Sequence, residues 1–183
     1  MSLYRSSRRL LAEALAVDRE GRMQDAAAAY EGVLLSTPDD FTALMNLAVL
    51  YWQATDFGTS SAERLPSEFV ALAGRRFREL VATAQARFPG QPELRFWPRY
   101  IAWADLGEPF DSAECRELMR QYPEYLEPAF VLFSSSAGVE AEAEAMKLLE
   151  RCTEEPTARC RYIVSVINGV LKRRRSSTSA SPS

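Results

Sequence analysis

The sequence predicts an all-α protein, an α-solenoid of helical hairpins, on three observations. Pro89, Pro123 and Pro156 lie 34 and 33 residues apart, and each closes a stretch of helical periodicity. A fixed repeat of that length marks stacked supersecondary units, none of which can bury its apolar face alone. Between the prolines the apolar residues recur at i, i+3, i+4 and i+7, the helical period, and no strand candidate survives. Pro38 precedes Pro89 by 51 residues, so the second unit carries about 17 extra residues.

The elements follow in order. Leu10, Ala14 and Val17, then Met23, Ala26, Ala27, Tyr30 and Val33, form stripes on either side of Glu20 and Gly21, which predicts helix, turn, helix. Residues 41–52 predict the next helix. The polar stretch from Thr55 to about Arg64, with Gly58, Thr59, Ser60 and Ser61, is expected to be a solvated loop, a lid or secondary contact being the alternative. Pro66 suits a first helical position, and Phe69, Ala73, Phe77, Leu80, Ala84 and Phe88 make one stripe of a long helix ending at Pro89 and Gly90. Residues 92–106 form another apolar helix, in which Pro98 marks either a kink or the true start.

Asp111 and Glu114 have the spacing of a capping box, opening a helix to about Tyr122. Residues 125–137 and 140–153 read as a fourth hairpin broken near Gly138. Glu140, Glu142 and Glu144 alternate with alanines at a period of two, yet both residue types favour helix over strand. Ala158, Tyr162, Ile163, Val166, Ile167, Val170 and Leu171 give a last amphipathic helix.

Composition narrows the function. The chain has 183 residues, 47% of them hydrophobic, enough for one domain with a real core. Twenty-two basic against 25 acidic residues give a net charge of −3 and a pI near 5.2, which excludes a general binder of nucleic acid or anionic membranes. There is no histidine, so Ser-His-Asp and Cys-His catalysis and His-ligated zinc are excluded. Cys115, Cys152 and Cys160 are odd in number and lack CxxC spacing, and they read as small packing residues in a reducing compartment. No apolar run approaches the roughly 20 residues of a membrane helix. Arg8 and Arg9 ahead of Leu10–Val17 outline a twin-arginine export signal, but Glu13 interrupts the run and Asp18 and Glu20 end it, so a cytoplasmic protein is expected. With no phosphate-binding glycine loop, metal set or nucleophile–base pair, neither enzyme activity nor a cofactor is expected.

The first two units resemble the tetratricopeptide repeat family, whose unit is a helical hairpin of about 34 residues. Taking Pro38 as the repeat-ending proline starts the first unit at Ser7 and places Leu10, Ala14, Val17, Gly21, Ala26, Tyr30 and Val33 on the family's packing and turn positions. Leu44, Asn46, Leu47, Ala48, Tyr51, Asp56 and Phe57 continue the match. The likeness is strong over residues 7–57 and carried by period alone from 66 to 156. Glu13 stands where a large apolar residue is usual, Thr55 replaces the turn glycine, and the second hairpin holds the insertion. In the third unit, counting from Gly107 puts Phe96, Tyr100 and Trp103 in the core, whereas counting from Pro89 would bury Arg95 and Arg99, a costly alternative.

The resemblance implies a right-handed α-solenoid of about four such hairpins plus a C-terminal capping helix. Its repeats would span about 7–40, 41–91 with the insertion near 55–65, 92–124 and 125–156, with the cap at 157–174. All would fall within a single domain over 1–175, ahead of a disordered tail over 176–183. In the family, the first helices of the hairpins line a groove that holds an extended peptide or a partner's helix. Here Arg8, Leu11, Leu15 and Arg19 would line it from the first unit, and Thr42, Met45, Asn46, Val49, Trp52 and Gln53 from the second. Trp52 reads as an exposed binding anchor, with packing against the insertion as the alternative.

The version of the groove that clamps a chaperone's terminal carboxylate has Lys and Asn where this chain has Leu11 and Leu15, and only Asn46 remains of it. An apolar or amphipathic segment of another protein is therefore the expected ligand. Lys172, Arg173, Arg174 and Arg175 complement the dipole of the last helix and keep it soluble. The expected function is a non-catalytic interaction module: an adaptor, assembly factor or chaperone-like protein without a small-molecule substrate. The alternative is a helical-repeat protein that touches nucleic acid or an anionic surface through the basic tail.

Overall fold

The computed structural model describes residues 2–178, with side chains from Ser7 to Ser177. Among them are ten helices and no strand. The chain divides into two compact units, one made of residues up to Pro89 together with Pro156–Arg159, the other of Gly90–Glu155 and the chain from Cys160 onward.

The first unit contains α1 (Ser2–Arg19), α2 (Met23–Ser36), α3 (Phe41–Thr55), α4 (Phe57–Ala62) and α5 (Ser67–Arg87). Gly21 turns the chain between α1 and α2 at a φ of +78°, a conformation that side chains resist. Ala14 and Ala26 are fully buried, and with nothing beyond Cβ they let the two helices cross closely. Ala26→Leu is accordingly expected to destabilise the protein by about 1–3 kcal/mol through overpacking, read from the midpoint of urea unfolding. An unchanged midpoint would overturn this account of the crossing.

Asp40 opens α3 by accepting from the Ala43 N–H at 2.9 Å. Buried residues run continuously from Ala43 to Trp52, because α3 packs against α2 on one side and α5 on another. The three helices are tied by Glu31, which accepts from the Tyr51 hydroxyl at 3.2 Å and bidentately from Arg76 at 2.9 and 2.8 Å. Bidentate pairing of this kind fixes geometry as well as adding attraction. Arg87 donates to the Pro38 carbonyl at 3.1 Å and pairs with Asp39, fastening the end of α5 to the turn before α3.

Two expectations are corrected in this unit. The solvated loop from Thr55 to Arg64 contains α4, because Asp56 caps it by accepting from the Thr59 N–H at 2.7 Å and so supplies a local start signal. Pro66 is the residue before α5 rather than its first: its ψ of 142° is extended, and the helix begins at Ser67. Ala73, Leu80 and Ala84 of the expected stripe are buried.

The second unit contains α6 (Pro92–Leu106), α7 (Ser112–Gln121), α8 (Pro128–Ser135), α9 (Glu142–Glu154) and α10 (Ala158–Thr178) beyond its first two residues. Pro98 lies inside α6 and Pro92 begins it. Gly107, at φ +68°, ends α6, with its N–H on the Trp103 carbonyl and that of Glu108 on the Ala102 carbonyl. Asp111 and Glu114 form the expected capping box on α7. Phe96, Trp97, Tyr100, Phe130 and Tyr162 make one aromatic cluster, with ring centroids from 5.1 Å (Tyr100 to Phe130) to 6.4 Å (Trp97 to Tyr162).

Phe96 and Tyr100 are core residues, as the count from Gly107 requires. Arg95 points to Gln121, and Arg99 to Glu114 and the Pro109 carbonyl. Trp103 is corrected: it sits in the last turn of α6, tilted against Tyr100 at 5.6 Å, and stays 46% exposed.

The fourth hairpin is shorter than expected, with α8 over Pro128–Ser135 and α9 starting at Glu142 rather than 140. The Ser136 hydroxyl accepts from the N–H groups of Val139 and Glu140, and Ala137, Gly138 and Ala141 all adopt positive φ, so the backbone between is committed to a turn. Helix α10 runs past the expected end of the cap at 174, so 176–178 of the expected tail are helical and 179–183 lie outside the described residues.

Candidate interaction face

The residues expected to line a groove separate into two groups. On α1, Arg8 and Arg19 are exposed and Leu11 and Leu15 half-buried; Thr42, at the start of α3, is exposed. Met45, Asn46, Val49 and Trp52 are buried, and Gln53 is half-buried. The exposed indole expected of Trp52 is therefore corrected: only 8% of the residue is accessible. The segment Pro156–Arg159 belongs to the same unit as α3, and the Gln53 carboxamide donates to the Ala158 carbonyl at 3.0 Å.

Asp18, in the last turn of α1, completes the arrangement. It is 1% exposed, and its two carboxylate oxygens are divided between the Tyr30 hydroxyl at 2.9 Å and the Ala158 N–H at 2.7 Å. Asn46 Oδ1 is buried without a hydrogen-bond partner. Burial and, next, the Asp18 charge raise the Tyr30 pKa above its ordinary value, and the Arg159 charge opposes them. The phenol therefore stays neutral and acts as a donor to Asp18.

Sequence reasoning treated Asp18 only as the end of an apolar run. A signal was present. An acidic residue in the last turn of a helix opposes the dipole, so its burial there requires donors from elsewhere.

The chemistry available is recognition of main chain. A carboxylate and a carboxamide from two helices take the N–H and the C=O of one residue, Ala158. Ala158 opens α10, where the first N–H groups have no partner inside their own helix, so Asp18 serves as a cap supplied from a distant part of the chain.

The basic run Lys172–Arg175 is helical and exposed. Arg174 donates to the Gly138 carbonyl at 2.8 Å and to Glu142 at 2.7 Å. Gly138 has a φ of +90°, and a Cβ there would come within 2.6 Å of the Arg174 side chain, so these two residues are built against each other.

Cys115 and Cys152 are buried and Cys160 half-buried, with no disulfide among them. Burial, followed by the Glu114 charge, pushes the Cys115 thiol up to about 12. Because the thiolate is the reactive form, iodoacetamide at pH 8 is expected to modify Cys160 first. Cys115 and Cys152 should react only once denaturant is added, as mass spectrometry of the intact chain would show. Among the described residues no group of three or more His, Cys, Asp or Glu is placed to hold a metal, and no helix is long and apolar enough to cross a membrane.

Comparison with protein-family models, with curated proteins and with solved structures finds no match to this chain.

Proposed function

We propose that this protein is a non-catalytic protein–protein interaction module of the tetratricopeptide kind. Its helical hairpins form a solenoid that acts as an adaptor, assembly factor or chaperone-like holder of a partner's peptide or helix. The observation that carries this reading is the pairing of Asp18 and Gln53 on the backbone of Ala158. Donors and acceptors that address main chain suit a ligand recognised as a peptide or as a helix end. The half-buried Leu11 and Leu15 of α1 add apolar surface of the kind an amphipathic segment needs. The basic end of α10 supports the alternative less, because Arg174 is already committed to Gly138 and Glu142.

The test uses the residues of α1 that are still partly accessible. A photo-reactive amino acid at Leu11 or Leu15, in the full chain expressed in its native host, is expected to trap a protein. The same group at the exposed Glu13 should trap only background. Background at Leu11 and Leu15, with a trapped partner at Arg173 instead, would transfer the function to the basic end.

A further inference from the structure

The insertion of the second hairpin holds a cavity of about 450 Å³ where α4 meets α5. It is lined by Ser60 and Ser61 of α4, Arg64 and Leu65 of the link, and Ser67 and Val70 of α5. Small-molecule sites have this size, and they combine a few polar groups with apolar walls. Here one cation and three hydroxyls face the half-buried Leu65 and Val70.

Arg64 is the informative residue. Its backbone is left-handed, at a φ of +51°, where glycine is the usual occupant. The cause is local. Helix α4 closes with the Leu65 N–H on the Ser60 carbonyl at 2.9 Å and the Arg64 N–H on the Ser61 carbonyl at 3.3 Å, a pattern that forces this conformation on the residue just past the helix end. An arginine is kept there although glycine would take the same turn without strain.

Its guanidinium is not used for an ion pair. Arg76, Arg87, Arg99, Arg116 and Arg174 each hold a carboxylate, whereas Arg64 holds none among the described residues, although Glu63 and Glu68 stand close to it in sequence. Among the same residues the Ser61 hydroxyl has no partner, and the Ser67 hydroxyl makes only a long bond to Glu68, at 3.3 Å. Ser60 is already committed to the Phe57 carbonyl at 3.2 Å.

We propose that this cavity binds a phosphate monoester with an apolar substituent. The Arg64 guanidinium and the Ser61 and Ser67 hydroxyls donate to the phosphate oxygens, and the substituent rests on Leu65 and Val70. Guanidinium is the side chain best shaped for phosphate, and its charge strengthens the hydrogen bonds. The site shares no residue with the α1 and α3 positions of the interaction reading, so each stands or falls alone.

The test is a titration of the full chain with phenyl phosphate at constant ionic strength, followed by nuclear magnetic resonance of the backbone amides and the Arg64 side chain. Saturable shifts confined to residues 57–71 are expected, with a Kd of about 1 mM or lower. Inorganic phosphate should bind several-fold more weakly, and phenol should leave the spectrum unchanged. Arg64→Gly is expected to weaken phenyl phosphate at least tenfold while raising the melting temperature by about 2–4 °C, because it relieves the left-handed strain. That pairing separates a ligand-binding role from a structural one. Shifts that never saturate, binding that survives Arg64→Gly, or a variant that melts lower than wild type would overturn the proposal. A phosphotyrosine peptide flanked by glycines identifies the source of the group: tighter binding than phenyl phosphate assigns it to a partner's side chain, and equal or weaker binding to a free ester, the site being supported in both cases.

Discussion

Trp52→Ala is expected to lower the stability of the protein by about 3–5 kcal/mol, the usual cost of emptying a buried tryptophan site. For a chain of this length that corresponds to a fall of roughly 6–20 °C in melting temperature. The reason is position: Trp52 is 8% exposed on α3, whose residues are buried without a break from Ala43 to Trp52. A change below about 1 kcal/mol, as an exposed side chain would give, would return Trp52 to the role of a surface anchor. Because the substitution disturbs the helix that supplies Gln53, loss of binding in this variant could not be assigned to a lost contact. Leu11 and Leu15 are the better probes.

Phe130→Ala is expected to cost a comparable 3–5 kcal/mol, about the range for a buried phenylalanine. Phe130 is fully buried in α8, and its ring lies 5.1 Å from Tyr100, 5.7 Å from Phe96, 6.2 Å from Trp97 and 6.3 Å from Tyr162. The edge-to-face contacts with Tyr100, Phe96 and Tyr162 add to the area term. Trp103→Ala makes the contrast, since Trp103 is 46% exposed and leans on Tyr100 alone among the rings, and it is expected to cost no more than about 1 kcal/mol. Urea unfolding followed by circular dichroism ranks the two substitutions. The reverse order would mean that the last turn of α6, and not α8, carries the aromatic core.

Much of the helical framework was legible because helices are decided over short distances. The stripe from Phe69 to Phe88, the capping box of Asp111 and Glu114 and the turn at Gly21 are interactions within a few residues. The choice of Phe96 and Tyr100 over Arg95 and Arg99 as core followed from the cost of burying unpaired charge. Boundaries were less legible where side chains redirect the backbone. Asp56 starts the short helix α4 inside an expected loop, and Ser136 ends the run before α9 by taking two N–H groups.

The candidate face was legible only by its addresses. Gln53 and Asp18 meet at Ala158, but the sequence carries no sign that this segment returns to them. The Asp18 contact to Ala158 spans 140 residues and that of Gln53 spans 105. In the same way the sequence presents Lys172–Arg175 as one block of charge, and only the approach of Gly138, 36 residues earlier, separates Arg174 from it.

By itself, then, the sequence determined that the chain is helical and where most helices lie, because period, caps and turn residues act between neighbours. Only the tertiary structure decided that Trp52 is buried, that Asp18 is the hub of a polar cluster and that Asp18 and Gln53 both meet Ala158. Each of those depends on which distant segments meet, and a local pattern holds no record of that.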